Sequence, residues 1–276
     1  MGCLNSSPAF DHWFGNVHLS GPCNRACYFC IGQHMMALDG FDTRDTWPLE
    51  GLDEFMRQCR ERRVSDVWVS GTNTDHLLYR HTEALVGRLR ELGVPVGVRT
   101  NGIAIPNHRD RWLAYDKASV TVCSLDPVIN ASMMGGPPAD LSDILHDPRE
   151  IAIYVVLGPE NRADVPRTLD KLCAYGPRKV NLREPYGQPH QGNPLSAWLP
   201  DNELFGMPVY KWGPLTVTYW DVHYVAVNSV NLYASGRVSV DYPITRGHAE
   251  DGSVNEQSAF PGGRVRAQWV KQPALT

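Results

Sequence analysis

Three cysteines fall within eight residues, Cys23-Asn24-Arg25-Ala26-Cys27-Tyr28-Phe29-Cys30, with the spacing C-x3-C-x2-C. Thiolates this close favour an iron–sulfur cluster or zinc over hard cations. A four-iron cluster normally takes one thiolate per iron, so three thiolates with no fourth nearby would leave one iron open. An open iron can chelate a small molecule and deliver an electron to it. Zinc would instead complete its shell with an imidazole, and His34 follows the third cysteine. Of the chain's seven cysteines the other four, Cys3, Cys59, Cys123 and Cys173, are scattered, so no second cluster is expected. Further candidates for chemistry are Arg99, Arg183, Glu184, Tyr186 and His190. The two arginines suit bidentate recognition of a phosphate or carboxylate. Equally, they could form structural ion pairs with Asp126 and Glu184. His18 and His34 flank the cysteines and read as hydrogen-bonded structural residues rather than proton shuttles. There is no His-x3-His pair, P-loop or nucleophile elbow.

The elements that must position these groups follow from hydrophobic periodicity. Phe14 to Ser20 reads as a strand that runs straight into the cysteine loop. Leu52, Phe55, Met56 and Cys59 recur at helical spacing, and Val64 to Ser70 is a strand closed by Gly71. Thr82 to Leu92 is an amphipathic helix stopped by Gly93. Strands follow at Val94 to Thr100, Ser119 to Ser124, Ile151 to Leu157 and Lys179 to Arg183, with a helix at Pro166 to Ala174. Strands alternating with helices imply parallel β/α units. In barrels built of such units, functional groups gather at the C-terminal ends of the strands. Beyond Pro185 the pattern changes. Residues 187–200 are rich in Gly, Pro, Gln and Asn, and residues 208–243 alternate with aromatic and β-branched side chains. Val225 to Tyr233 and Arg237 to Val240, joined by Ala234-Ser235-Gly236, read as a β-hairpin.

The cysteine stretch resembles the signature of the radical S-adenosylmethionine (radical SAM) superfamily. That resemblance implies an α/β fold, a partial (β/α)6 TIM-like barrel. Residues 1–200 would form this core, and 201–276 a small antiparallel β extension capping its mouth. It also implies a [4Fe–4S] cluster on Cys23, Cys27 and Cys30, with S-adenosylmethionine (SAM) on the open iron. Phe29 would shield the cluster beside the adenine. The strand end Ser70-Gly71-Thr72-Asn73-Thr74-Asp75 stands where the family often has a Gly-Gly-Glu-Pro-like segment. Here Gly71, Thr72, Asn73 and Thr74 would supply the contacts to the SAM amino group. Thr100-Asn101-Gly102 resembles the family's Thr-Asn-Gly strand end. Ser124 and Asp126 stand where relatives contact ribose or carboxylate, and Val156 and Leu157 where they line the adenine.

Bulk properties narrow the reading. A chain of 276 residues, 42% hydrophobic and 20% charged, is an ordinary globular one. No apolar run approaches the length of a membrane span. The start lacks a signal-peptide pattern, so a cytoplasmic location without disulfides is expected. A net charge of −4 argues against a protein that coats nucleic acid. The segment from Gln257 to Thr276 has no acid and carries Arg264, Arg266, Lys271 and Trp269, either a solvated tail or an arm for DNA phosphates. The resulting expectation is a one-cluster enzyme whose 5′-deoxyadenosyl radical takes hydrogen from a small polar substrate, nucleotide- or nucleobase-linked, leading to rearrangement. Its electron donor would be a flavodoxin or ferredoxin. The alternatives are modification of a base within DNA, action on an amino-acid-derived metabolite, or a non-catalytic zinc protein.

Overall fold

In a computed structural model, the described residues are 13–32, 41–145, 147–176, 178–185, 191–204, 206–221 and 228–240. The expected arm and its basic residues, together with Cys3, His34, Tyr186 and His190, lie outside them. Six strands come first: β1 (Trp13–Leu19), β2 (Val67–Gly71), β3 (Val96–Thr100), β4 (Lys117–Val122), β5 (Glu150–Val156) and β6 (Lys179–Arg183). The helices are α1 (Leu52–Glu61), α2 (Thr82–Arg90), α3 (Arg109–Leu113), α4 (Pro127–Met134), α5 (Ser142–Leu145) and α6 (Val165–Leu172). Five further strands follow: β7 (Asn202–Leu204), β8 (Met207–Trp212), β9 (Leu215–Trp220), β10 (Asn228–Leu232) and β11 (Val238–Ser239).

All eleven strands form one sheet in the order β11-β10-β1-β2-β3-β4-β5-β6-β9-β8-β7. The expected parallel β/α order holds from β1 to β6. The expected antiparallel extension is corrected. The hairpin of β10 and β11 is present, but β10 itself pairs parallel with β1, and β9 pairs parallel with β6. Only β7, β8 and β11 run antiparallel to their neighbours. Residues beyond 201 therefore finish both ends of the sheet that β1 to β6 begin.

One face of the sheet is apolar and carries the helices. Val17, Val69, Val98, Val120, Ile153, Leu182, Val217 and Val230 are all essentially inaccessible on it. Against them pack Leu52, Phe55, Met56 and Cys59 of α1, Leu85 and Leu89 of α2, and Leu169 and Leu172 of α6. Full burial of such a side chain contributes roughly 1.5–3 kcal/mol, so this layer is the main source of stability.

The opposite face is polar. Register sets His18 beside Ser70, Arg99 beside Ser119, and Asn16 beside Asn231. Asn16, Ser119, Ser229 and Asn231 are each 0% exposed, although no helix of the apolar layer covers them. The sheet buries this face by curling around it. Chain length demands the same curl. Trp220 ends β9 at the C-terminal edge beside Arg183, while Asn228 starts β10 at the opposite edge beside Trp13. Eight chain steps reach at most about 29 Å. Seven strand spacings in a flat sheet would separate β9 from β10 by roughly 34 Å. The result is an open, curled α/β sheet with a polar interior. No helix among the described residues is long and apolar enough to cross a membrane.

Candidate active site

The cysteine loop leaves β1 and lies across the C-terminal ends of its neighbours. Thr74 Oγ1 donates to Pro22 O at 2.9 Å, and the Cys30 thiol points at Thr72 O, 3.7 Å away. Asn101 Nδ2 donates to Asn24 Oδ1 at 2.7 Å and stands 3.9 Å from Cys23 Sγ. The far side of the loop rests on α4: Ala26 N donates to Met134 O at 3.2 Å and Tyr28 N to Met133 O at 3.3 Å. Arg25 donates to Pro137 O, and the Tyr28 hydroxyl donates to Glu160 at 2.9 Å. The exits of β2, β3, β4 and β5 thus all hold the loop. Two glycines make the approach possible. A Cβ on Gly71 would stand 1.6 Å from Thr74 O, and one on Gly32 would stand 1.2 Å from Thr72 O.

Among the described residues no three His, Cys, Asp or Glu side chains converge on one metal ion. A four-iron cluster does not require convergence, because each thiolate binds its own iron. Burial pushes the Cys27 thiol up to about 12, with the charges of Cys30 and Cys23 adding and Arg25 opposing. Cys23 is raised as well, by burial first and then by Asp75 and Cys30, against backbone N–H donors. Cys27 and Cys23 therefore sense the neighbouring thiols and hold their protons at neutral pH until a cation offsets their charge. Three soft donors on a loop clasped by four strand exits fit a [4Fe–4S] cluster.

The sequence-predicted SAM contacts divide into two groups. Some face the loop. Phe29 packs with Cys27 and Val156 on Cys123, Met133 and Met134, its ring edge-on to Tyr28 at 5.5 Å. Asn101 touches the loop as described, and Asn73 has no hydrogen-bond partner among the described residues. Others spend their polar atoms on the frame. Thr72 Oγ1 donates to Leu19 O at 3.1 Å, and Thr100 Oγ1 donates to Asp75 at 2.8 Å. Ser124 Oγ donates to Asp164 at 2.6 Å. Asp126 caps α4, accepting from Val128 N at 2.9 Å and Ile129 N at 3.3 Å, and these backbone donors hold its carboxyl below the usual range. Leu157 is fully buried in the main core.

The expected partners of the arginines are engaged elsewhere. Glu184 accepts two bonds from Arg162 Nη2, at 2.7 and 2.8 Å, and one from the Tyr219 hydroxyl at 2.9 Å. Asp126 has Arg167 nearby, at 4.0 Å. Arg99 and Arg183 form no ion pair among the described residues. They lie instead over Trp68 and Tyr154, at 4.9 and 5.4 Å from the ring centroids.

Sequence reasoning missed several residues that hold the site. Asp75, 3% exposed, accepts from Leu77 N, Thr100 Oγ1 and Asn101 N and so fixes the β3 exit. Asn161 ties the ends of β4 and β5 through Cys123 O and Val156 O, at 2.6 and 2.8 Å. Glu160 accepts from Tyr28 of the loop, and Asn24 within the loop accepts from Asn101. Asn or Asp shortly after a strand was the available signal, since such residues commonly bond nearby backbone.

No protein-family model matches the sequence, and no curated protein does. Solved structures match it, among them three of SuiB from Streptococcus suis. The first is 12% identical with a TM-score of 0.58, covering 83% of this chain and 60% of SuiB. SuiB bound to S-adenosylmethionine is 15% identical with a TM-score of 0.50, covering 67% of this chain and 42% of that one. SuiB bound to its precursor peptide SuiA is 16% identical with a TM-score of 0.51, covering 64% and 40%. The chain thus spans 60% or less of SuiB in each comparison. At these identities the likeness is one of fold, and the chain shares the open α/β fold of SuiB.

Proposed function

We propose that the chain is a radical SAM enzyme whose [4Fe–4S] cluster is held by Cys23, Cys27 and Cys30. The observation that carries this reading is the three-cysteine loop clasped over the C-terminal ends of parallel strands, where barrels of this kind place their chemistry. When bound, the cluster and SAM supply a 5′-deoxyadenosyl radical by one-electron reductive cleavage, for abstraction of a substrate hydrogen. The chain's own work is to bind, orient and exclude water. Phe29, Val156, Cys123 and Met133 form an apolar wall beside Cys27, which lowers the local dielectric on that side of the thiolate. Asn73 and Asn101 offer amide groups at the exits of β2 and β3, Asn101 beside Cys23. Gly71, Thr72, Thr74, Thr100, Ser124 and Asp126 fix the strand exits, and Leu157 anchors β5.

The substrate reading is a small polar molecule, nucleotide- or nucleobase-linked, undergoing rearrangement in the cytoplasm. A flavodoxin or ferredoxin would give the electron. Arg99 and Arg183 inside the curl support it, since phosphates seek arginine. A basic arm through Arg264, Arg266 and Lys271 would extend the same preference to DNA. A peptide is the competing substrate, because one SuiB structure holds its precursor peptide. Anaerobic reconstitution with iron and sulfide, reduction and addition of SAM should give 5′-deoxyadenosine by mass spectrometry. Cys27→Ala should reduce it to background. A variant that still forms the nucleoside would overturn the assignment, and deuterium passed from a labelled nucleotide rather than a peptide would identify the substrate class.

A further inference from the structure

Beneath the cysteine loop, the polar interior holds a cation, Arg99, with no counter-charge among the described residues. Asn101, which holds the loop, and Arg99 are alternate residues of one chain segment, about 6.6 Å apart along it. Arg99 Nη1 donates to Asn16 Oδ1 at 3.2 Å, and its Nε is buried with no acceptor. The layer below is locked. Asn16 Nδ2 donates to Asn231 Oδ1 at 3.0 Å, and Asn231 Nδ2 donates to Ser229 Oγ at 2.9 Å, all three residues being fully buried. His18 Nε2 lies 3.3 Å from the same Asn231 oxygen, with Tyr233 stacked on its ring at 5.4 Å. None of these groups is an acid.

Two lysines of this face, unlike Arg99, have acidic partners. Lys117 has Asp66 and Lys179 has Glu150. Arg99 has one of its five donors engaged and its flat face on Trp68. Arg99 is half-buried, and its buried Nε lacks the acceptor that an anion would supply. Its unused donors form a planar fork that matches two oxygens of a carboxylate or a phosphate.

We infer that Arg99, held in place by Asn16 and Asn231, binds an anionic group, carboxylate or phosphate, of the molecule accepted inside the curled sheet. That this molecule is the substrate rests on the radical SAM reading; the anion site does not. Arg183, on the same face at the end of β6, adds positive field at the mouth without an ion pair among the described residues.

The test is thermal unfolding of the full chain, with iron removed and with iron restored. Inorganic phosphate and acetate are the two probes, and chloride at matched ionic strength is the control. A saturating probe should raise Tm by about 2 °C or more over chloride, with or without iron. Arg99→Gln should remove the shift. A shift with phosphate alone assigns a phosphate group, with acetate alone a carboxylate, and with both a site open to either. No shift in the wild type, or one retained in Arg99→Gln, overturns the inference. Should that variant not fold, phenylglyoxal labelling of Arg99 in the wild type, mapped by peptide mass spectrometry, replaces it. Labelling should fall when the probe is added, and equal labelling overturns the inference. Because the iron-free protein is sufficient, failure here leaves the radical reading intact, and absence of 5′-deoxyadenosine leaves the anion site intact.

Discussion

His18 sits between Asn231, Ser70 and Tyr233 with Arg99 nearby, and this surrounding sets its titration. Burial lowers it to about 4, the Asn231 hydrogen bond opposes, and the Arg99 charge adds to the lowering. The unfolded chain binds this proton near 6.5, so between these two values the unfolded state holds more protons. Stability from His18 is therefore complete above pH 6.5 and lost as pH falls towards 4, on the order of 3 kcal/mol in all. Urea unfolding at pH 7 and pH 4.5 should show this loss in the wild type and much less in His18→Asn. An equal loss in both would refute it. Its structural, hydrogen-bonded role was legible in the sequence, because it follows from residue type. The fates of Thr72, Ser124 and Asp126 were not. A hydroxyl or carboxylate at a strand exit looks the same in sequence whether it faces a ligand or caps a helix. Three-dimensional neighbours decide, and here Leu19 O, Asp164 and the α4 N–H groups took them.

At the scale of elements, the exit of β2 is the hinge between sheet and loop. Gly71 closes the strand with its α-carbon against Thr74 O, and Thr74 in turn grips Pro22 at the entrance to the cysteine loop. Gly71→Ala must displace this backbone, since nothing flexible stands in the way. Iron bound after reconstitution should fall at least several-fold while far-UV circular dichroism keeps its shape, the sheet core lying on the opposite side. Full iron occupancy in the variant would show that the loop seats itself without this contact. The six leading strands could be read from sequence because they are short apolar runs closed by polar or Gly-containing turns, with helical repeats between several of them. The direction of β9 and β10 could not. Alternation reports that one face of a strand is apolar, and it is the usual mark of antiparallel sheets. Here the parallel strands alternate too, because their inner face lines a polar interior: Leu215, Val217 and Tyr219 are buried in the core, while Thr216, Thr218 and Trp220 alternate with them.

For the whole molecule, the consequence is that the chain is not divisible near residue 200. Cutting there removes β9 from β6 and β10 from β1, and with β10 the amide of Asn231 that orders Asn16 and His18. Residues 1–200 alone should show no cooperative thermal transition and should be digested rapidly by protease. A sharp transition near that of the full chain would restore the view of a separate core and cap. The pairing of Asn16 with Asn231 spans 215 positions. Contacts between such distant parts of a chain form slowly, because loop-closure entropy is lost before they are gained. On the ribosome the wait is longer still. The first strand emerges with its cysteines early, yet the floor beneath them is complete only after residue 231 has left the exit tunnel. Three thiols are therefore made long before the pocket they serve, and the loop waits in the growing chain for the strand that completes its floor.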